Sequence, residues 1–121
     1  MPSRQDPVHQ SRCDVEATLS VIGGKWKLML VWFLRDGPRR FSECRRRFPE
    51  ISQKVLTQQL RELEGDGVVH REVYREVPPR VDYSLTPFGR SLEPVVAALD
   101  AWGRFHGEYL LQLRRDRARA A

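Results

Sequence analysis

The sequence has few of the residues that build disulfide frameworks and metal sites. Its two cysteines, Cys13 and Cys44, lie far apart and form no CxxC pair, and its three histidines are scattered at His9, His70 and His106. A disulfide framework needs more cysteines, and a zinc site needs clustered Cys and His ligands. We therefore expect no metal and no cofactor.

Long hydrophobic runs are also missing. No apolar stretch approaches the ~20 residues that a membrane-spanning helix needs, and the polar segment 1–12 has no hydrophobic signal core. The chain lacks the Ser/His/Asp order, the Gly-rich phosphate loop and the paired carboxylates of common enzyme sites. These absences predict a cytoplasmic protein that is not an enzyme and has no membrane partner.

What the sequence does have is unevenly placed positive charge. Its 21 Lys and Arg against 16 Asp and Glu give a net charge of +5, which favours an anionic partner such as nucleic acid. Five arginines and one glutamate fall within residues 39–47. A hydrophobic content of 40% in 121 residues predicts one folded domain, which we place at 13–113 between a flexible arm (1–12) and a basic tail (114–121).

Residues 52–64 form the most informative stretch. Ser52 is a good helix N-cap, and Leu56, Leu60 and Leu63 have the spacing of one inward helix edge. Gln and Arg side chains on the other edge are suited to pair with adenine and guanine in the major groove. The alternative is an ordinary amphipathic surface helix. The predicted DNA-reading set is Ser52, Gln53, Lys54, Thr57, Gln58 and Arg61.

The segment before Ser52 favours the DNA-reading interpretation. Phe41, Cys44 and Phe48 have the spacing of a short helix, and Pro49 ends that helix because the residue before a proline avoids helical angles. A short helix, a tight turn and a second helix with outward polar groups make a helix-turn-helix. The stretch 52–64 then occupies the recognition position.

A hairpin is predicted directly after this helix. Residues 68–77 are rich in β-branched and aromatic side chains, Pro78-Pro79 must turn, and residues 81–85 alternate as a return strand. Arg75 and Arg80 flank the tip. The hairpin is either a wing that lays arginine on DNA or a hairpin that only closes the core.

Apolar helices are predicted at both ends of the domain. Asp14 would cap a first helix to about Val21, and a second helix would open at Lys25 and be apolar on all sides from residue 28 to 34. A long apolar stripe covers residues 88–113, where Pro94 should kink the helix and two glycines, Gly103 and Gly107, could bend or split it. We interpret these surfaces as a dimer interface that includes Leu19, Trp32, Leu92, Val96, Leu99 and Trp102; packing within one chain alone is the alternative.

Several motifs follow one another in a characteristic order. They are Cys13, Ile22-Gly23-Gly24-Lys25-Trp26, the run from Gly37 to Glu43, the run from Ile51 to Glu64, Asp66-Gly67, the run from Val77 to Thr86, and Gly89-Arg90-Ser91-Leu92. Together they resemble the HxlR-type regulators, a MarR-like group of bacterial winged helix-turn-helix transcription factors, over roughly residues 13–103. The resemblance implies a mainly α fold with a small β-hairpin (α+β) and a dimer built on the terminal helices.

The resemblance implies a homodimer that binds double-stranded DNA at a pseudo-palindromic operator, as a repressor in our interpretation. The recognition helix would read bases, and a set of arginines would position the DNA backbone. Two alternatives stay open: a dimeric adaptor that has lost DNA binding, and a protein that binds nucleic acid without sequence preference. The predicted backbone and wing contacts are Arg39, Arg40, Arg45, Arg46, Arg75 and Arg80.

Cys13 is the candidate for a switch. In the family a cysteine at this position serves some members as a sensor of oxidants or electrophiles. A helix N-terminus and the neighbouring Arg12 would favour the thiolate at this position, whereas Asp14 and Glu16 oppose it, so both reactive and unreactive thiols fit the sequence. Cys44 has core spacing, and an intersubunit Cys13–Cys44 disulfide, a small-molecule effector and a purely packing role for Cys13 all stay open.

Overall fold

The computed structural model describes residues 13–120, so the predicted arm lies outside the described residues. Along the chain the elements are α1 (Asp14–Ile22), α2 (Lys27–Leu34), β1 (Arg39–Arg40), α3 (Phe41–Arg47), α4 (Gln53–Gly65), β2 (Val69–Tyr74), β3 (Arg80–Leu85), α5 (Pro87–Arg90) and α6 (Glu93–Ala120). This is the predicted mainly helical fold with a hairpin after the recognition helix, α4. The winged helix-turn-helix arrangement is confirmed.

The sheet has one strand more than the hairpin that the sequence predicted. Its order is β1-β3-β2, and both pairings are antiparallel. Arg39 lies opposite Tyr83, so the two-residue strand β1 ties the start of α3 to the base of the wing. A two-residue strand is too short to show the alternation by which strands are recognised in a sequence. The sequence therefore did not predict β1.

The core sits between α2, α4 and the sheet. The predicted inward edge of α4 is confirmed, because Leu56, Leu60 and Leu63 are at most 1% exposed. They pack with Leu30 and Leu34 of α2 in one cluster. Each such fully buried side chain contributes roughly 1.5–3 kcal/mol.

Several predicted helix boundaries were wrong. The N-cap of α1 is Cys13, with Asp14 as the first helical residue, and α2 begins at Lys27 rather than Lys25. Pro94 does not kink a helix, because it is the second residue of α6, where the missing N–H would be unpaired in any case.

The last helix is longer than the sequence suggested. It continues unbroken for 28 residues through Gly103 and Gly107, although each internal glycine costs roughly 1 kcal/mol. The segment predicted as a basic tail is helical through Ala120. Within residues 13–120, no single helix is long and apolar enough to cross a membrane; α1 and α2 pass that test only as a joined pair, bent by 74°.

A partly buried ion pair joins α2 to α4. Lys27 is 8% exposed, and its Nζ lies 2.9 Å from Glu62 Oε1. The hydrogen bond from Lys27 and its positive charge hold the pKa of Glu62 below its ordinary value of 4.5. The charged form of Glu62 is therefore favoured in the folded protein, and the pair stabilises α4 against α2.

We expect Glu62→Gln to lower the melting temperature at pH 7, because the Lys27 ammonium loses its charged partner in a nearly buried position. The difference from wild type should shrink as pH falls below 4.5, since a depressed carboxyl pKa contributes stability above the unfolded value and loses it below. Thermal unfolding followed by circular dichroism at pH 7 and about pH 3 measures this. Glu64→Gln, exposed on the same helix, is the control; an equal effect of the two changes at pH 7 would contradict the role of the pair.

Candidate nucleic-acid interface

The outer edge of α4 is polar and accessible. Ser52 caps the helix, with its Oγ accepting from the Val55 N–H at 3.1 Å. Gln53, Lys54, Gln58 and Arg61 are exposed and Thr57 is half-buried. These five side chains line one shallow surface groove together with Glu62. The structure therefore brings the predicted DNA-reading side chains together on one face.

The turn between α3 and α4 is tight and internally bonded. The Phe48 N–H donates to the Cys44 carbonyl, and the Ile51 N–H donates to the Phe48 carbonyl, both at 3.1 Å. Phe48 and Ile51 are buried, so their side chains anchor the turn in the hydrophobic core. Across it, Arg45 Nη1 donates to Gln53 Oε1 at 3.1 Å.

The six arginines predicted to hold the DNA backbone divide into exposed and engaged groups. Arg40, Arg46 and Arg75 are exposed. Arg39 turns inward: its Nη1 lies 3.5 Å from Glu43 Oε2 and its guanidinium covers the Phe33 ring at 4.6 Å. The Arg40 N–H bond to Glu43, aided by Arg39, lowers the pKa of Glu43. Glu43 thereby stays charged and fixes the start of α3.

Arg80 braces the wing rather than projecting from it. Its guanidinium lies 4.0 Å from the centroid of the Tyr74 ring, and its Nε lies 3.4 Å from Asp82 Oδ1. Glu76 Oε1 is 3.9 Å from Nη1. One cation thus neutralises two carboxylates beside the tip, and Arg75 is left as the exposed cation there.

Two further arginines are not among the residues that the sequence predicted to contact DNA. Arg71, on β2, is exposed and lines the groove that also contains Arg40 and Ser42. Arg71 lies at this groove because it pairs with Tyr83 across the sheet. The sequence alone does not show which residues of the two strands pair. Arg47 lies 5.2 Å from the Trp32 ring and 4.9 Å from the Phe48 ring, so it packs on aromatic side chains.

The predicted dimer residues also separate into two groups. Val96 is 8% exposed, and Trp32 and Leu92 pack against the core of the same protomer. Leu19, Leu99 and Trp102 are all more than half exposed, at 53%, 51% and 57%. The exposed group leaves apolar surface on α1 and on the outer side of α6.

The two thiols lie in opposite environments. Cys13 is exposed at the N-cap of α1, with its Sγ 3.6 Å from Glu16 Oε1. Cys44 is fully buried in the core, and burial raises the pKa of its thiol to about 11. The core position predicted for Cys44 is confirmed, and its sulfur has neither the access nor the charge that thiol exchange requires.

We expect one thiol per chain to react rapidly with a chromogenic disulfide reagent in the native protein at pH 8, and two after denaturation. Cys13→Ser should remove the rapid reaction and Cys44→Ala should leave it unchanged. Absorbance measured over time gives the count. Two rapidly reacting thiols in the native wild type would show that the α3 region opens readily.

With this geometry in place, comparisons with known proteins identify the family. The model of the family described as HxlR-like helix-turn-helix matches residues 21–110. The HTH-type transcriptional regulator YdeP of Bacillus subtilis (strain 168) is 54% identical over 87% of this chain and 82% of its own length. YybR of the same strain, also described as an HTH-type transcriptional regulator, is 57% identical over 86% of this chain and 83% of its own.

A solved structure agrees with the sequence relatives. The redox regulator HypR in its reduced form superposes with a TM-score of 0.79 and is 56% identical, covering 83% of this chain and 99% of that chain. The identity is far above the level at which only a fold is shared, and the matched region includes the helix-turn-helix and the wing. The chain belongs to the HxlR-like helix-turn-helix family of DNA-binding transcriptional regulators.

Proposed function

We propose that this DNA-binding transcriptional regulator works as a homodimer in the cytoplasm and represses genes by occupying a pseudo-palindromic operator. Its proposed activity is binding rather than catalysis. The observation that carries the proposal is the helix α4, whose leucine edge is buried while Gln53, Lys54, Gln58 and Arg61 share an exposed face. Such a face suits base edges in the major groove.

Positive charge around α4 supports the assignment of roles. We assign contacts with the DNA backbone to the exposed side chains of Arg40, Arg46 and Arg75, and a shared role in base and backbone contact to Arg45. Arg39 and Arg80 are assigned to positioning, because both are engaged with carboxylates and aromatic rings. A dimeric adaptor without DNA binding would not need a polar, cationic outer face on α4.

Apolar surface on α1 and α6 supports the homodimer. Leu99, Trp102 and Tyr109 are 51%, 57% and 67% exposed, and their spacing places them on one side of α6. Leu19 on α1 is similarly exposed. A second copy of the chain would cover these faces and set two recognition helices about one DNA turn (~34 Å) apart.

Cys13 and a cavity are the two candidate effector sites. A redox regulator is among the similar structures, and Cys13 is the exposed thiol, so we assign it the role of oxidant-responsive residue. A cavity of about 400 Å³ also lies between α2 and α6, lined by Val31, Trp32 and Val96 with charged residues at its rim. A small molecule bound there would lie between α6, the proposed dimer helix, and α2 of the DNA-binding lobe.

We expect Gln58→Ala to weaken operator binding far more than binding to scrambled duplex, because an exposed amide on α4 reads bases. Arg46→Ala should weaken both alike and reduce the slope of log affinity against log salt by about 0.9 per lost phosphate contact. Mobility-shift assays over 50–200 mM salt, with DNA from upstream of the protein's own gene, test both. Equal loss on both duplexes for Gln58→Ala would remove its base-reading role.

We expect Trp102→Glu to shift the protein from dimer to monomer, because a carboxylate would be buried without a partner in the proposed apolar interface. Leu111→Glu is the matched control, since Leu111 is 55% exposed and lies about half a turn away around α6. Sedimentation velocity gives the oligomeric state, and circular dichroism confirms the fold. A dimer that survives Trp102→Glu would place the interface elsewhere.

A further inference from the structure

One side-chain contact joins the two helices of the helix-turn-helix on their exposed side. Arg45 lies in the last turn of α3 and Gln53 is the first residue of α4, and the bond from Arg45 Nη1 to Gln53 Oε1 is 3.1 Å long. Both side chains are exposed, and Gln53 lines the groove on the outer face of α4 that would meet DNA. A bond with an ionised donor is stronger than one between neutral groups.

This contact decides which end of the Gln53 amide faces outward. A glutamine amide has an oxygen that accepts and a nitrogen that donates. Paired recognition of adenine uses both ends, because the oxygen accepts from N6 and the nitrogen donates to N7. With a guanidinium bound at Oε1, an adenine amino group approaching that oxygen meets a cation and further donors. The Gln53 nitrogen stays available.

The pair therefore presents hydrogen-bond donors: the amide nitrogen of Gln53 and the remaining N–H groups of Arg45. Guanine is the base whose major-groove edge offers two acceptors, N7 and O6, with no donor beside them. The Ser52 hydroxyl next to the pair already accepts from the Val55 N–H, and its O–H is a further donor. The first residue of a recognition helix is also where base edges are contacted.

We propose that Arg45 and Gln53 act as one specificity-determining unit that selects guanine at one position of each operator half-site. This inference rests on the proposed function as a sequence-specific DNA-binding protein. Arg45 acts here through Gln53 as well as by its charge, which distinguishes it from the neighbouring Arg46.

The test compares sequences selected from a randomised duplex by wild type, Arg45→Ala, Arg46→Ala and Gln53→Ala. Wild type should select guanine at a position where Gln53→Ala shows no preference. Arg45→Ala should shift that position towards adenine, because the freed Oε1 then accepts from N6. Arg46→Ala, the matched control, should keep guanine with lower affinity. Circular dichroism checks that each variant is folded.

Binding to defined duplexes then gives the magnitude. Replacing the selected guanine by adenine should weaken wild type by about 5-fold to 100-fold, and Arg45→Ala by clearly less. Arg45→Ala that keeps the full wild-type guanine preference overturns the inference while the proposed function stands. Wild-type protein that selects no sequence at all overturns the proposed function and the inference together.

Discussion

The burial of one edge of α4 is the constraint on which the DNA-binding surface depends. Leu56, Leu60 and Leu63 are fixed in the core, and a helix held by one edge has a fixed rotation about its axis. Every other side chain of α4 then has its direction set. The Lys27–Glu62 pair adds a second anchor on the side of α2, so the recognition helix is positioned by both apolar and charged contacts.

Around this helix, the same residue type serves two purposes. Arg39 and Arg80 each lie against an aromatic ring and a carboxylate, where they shape the start of α3 and the wing. Arg40, Arg46 and Arg75 are exposed and carry the net positive charge outward. Neutralising Glu43, Glu76 and Asp82 internally keeps negative charge from opposing a phosphate backbone. The wing thus has one arginine, Arg80, paired with carboxylates and another, Arg75, exposed beside its tip.

The sequence could predict whatever is determined locally. The Ser52 cap and the leucine edge of α4 follow from spacing and capping chemistry within one helix, and both are confirmed. The contacts of Arg39 and Arg80 could not be predicted, because their partners come from strand pairing and from rings elsewhere in the chain. Val96 was predicted to lie in a dimer interface because its side chain is apolar. The sequence did not show that core residues of the same chain cover it.

The path along the chain from Cys13 to the recognition helix is short. Cys13 is the N-cap residue of α1, which also carries the exposed Leu19. Helix α1 leads through Gly23 and Gly24 into α2. From α2, Lys27 bonds directly to Glu62 on the recognition helix. Coupling between sites needs packed or bonded elements with two arrangements, and the Lys27–Glu62 bond is the direct polar contact between α2 and α4 on this path. In the proposed redox role of Cys13, α1 and α2 are therefore the elements that would have to move for a covalent change at this thiol to reach α4.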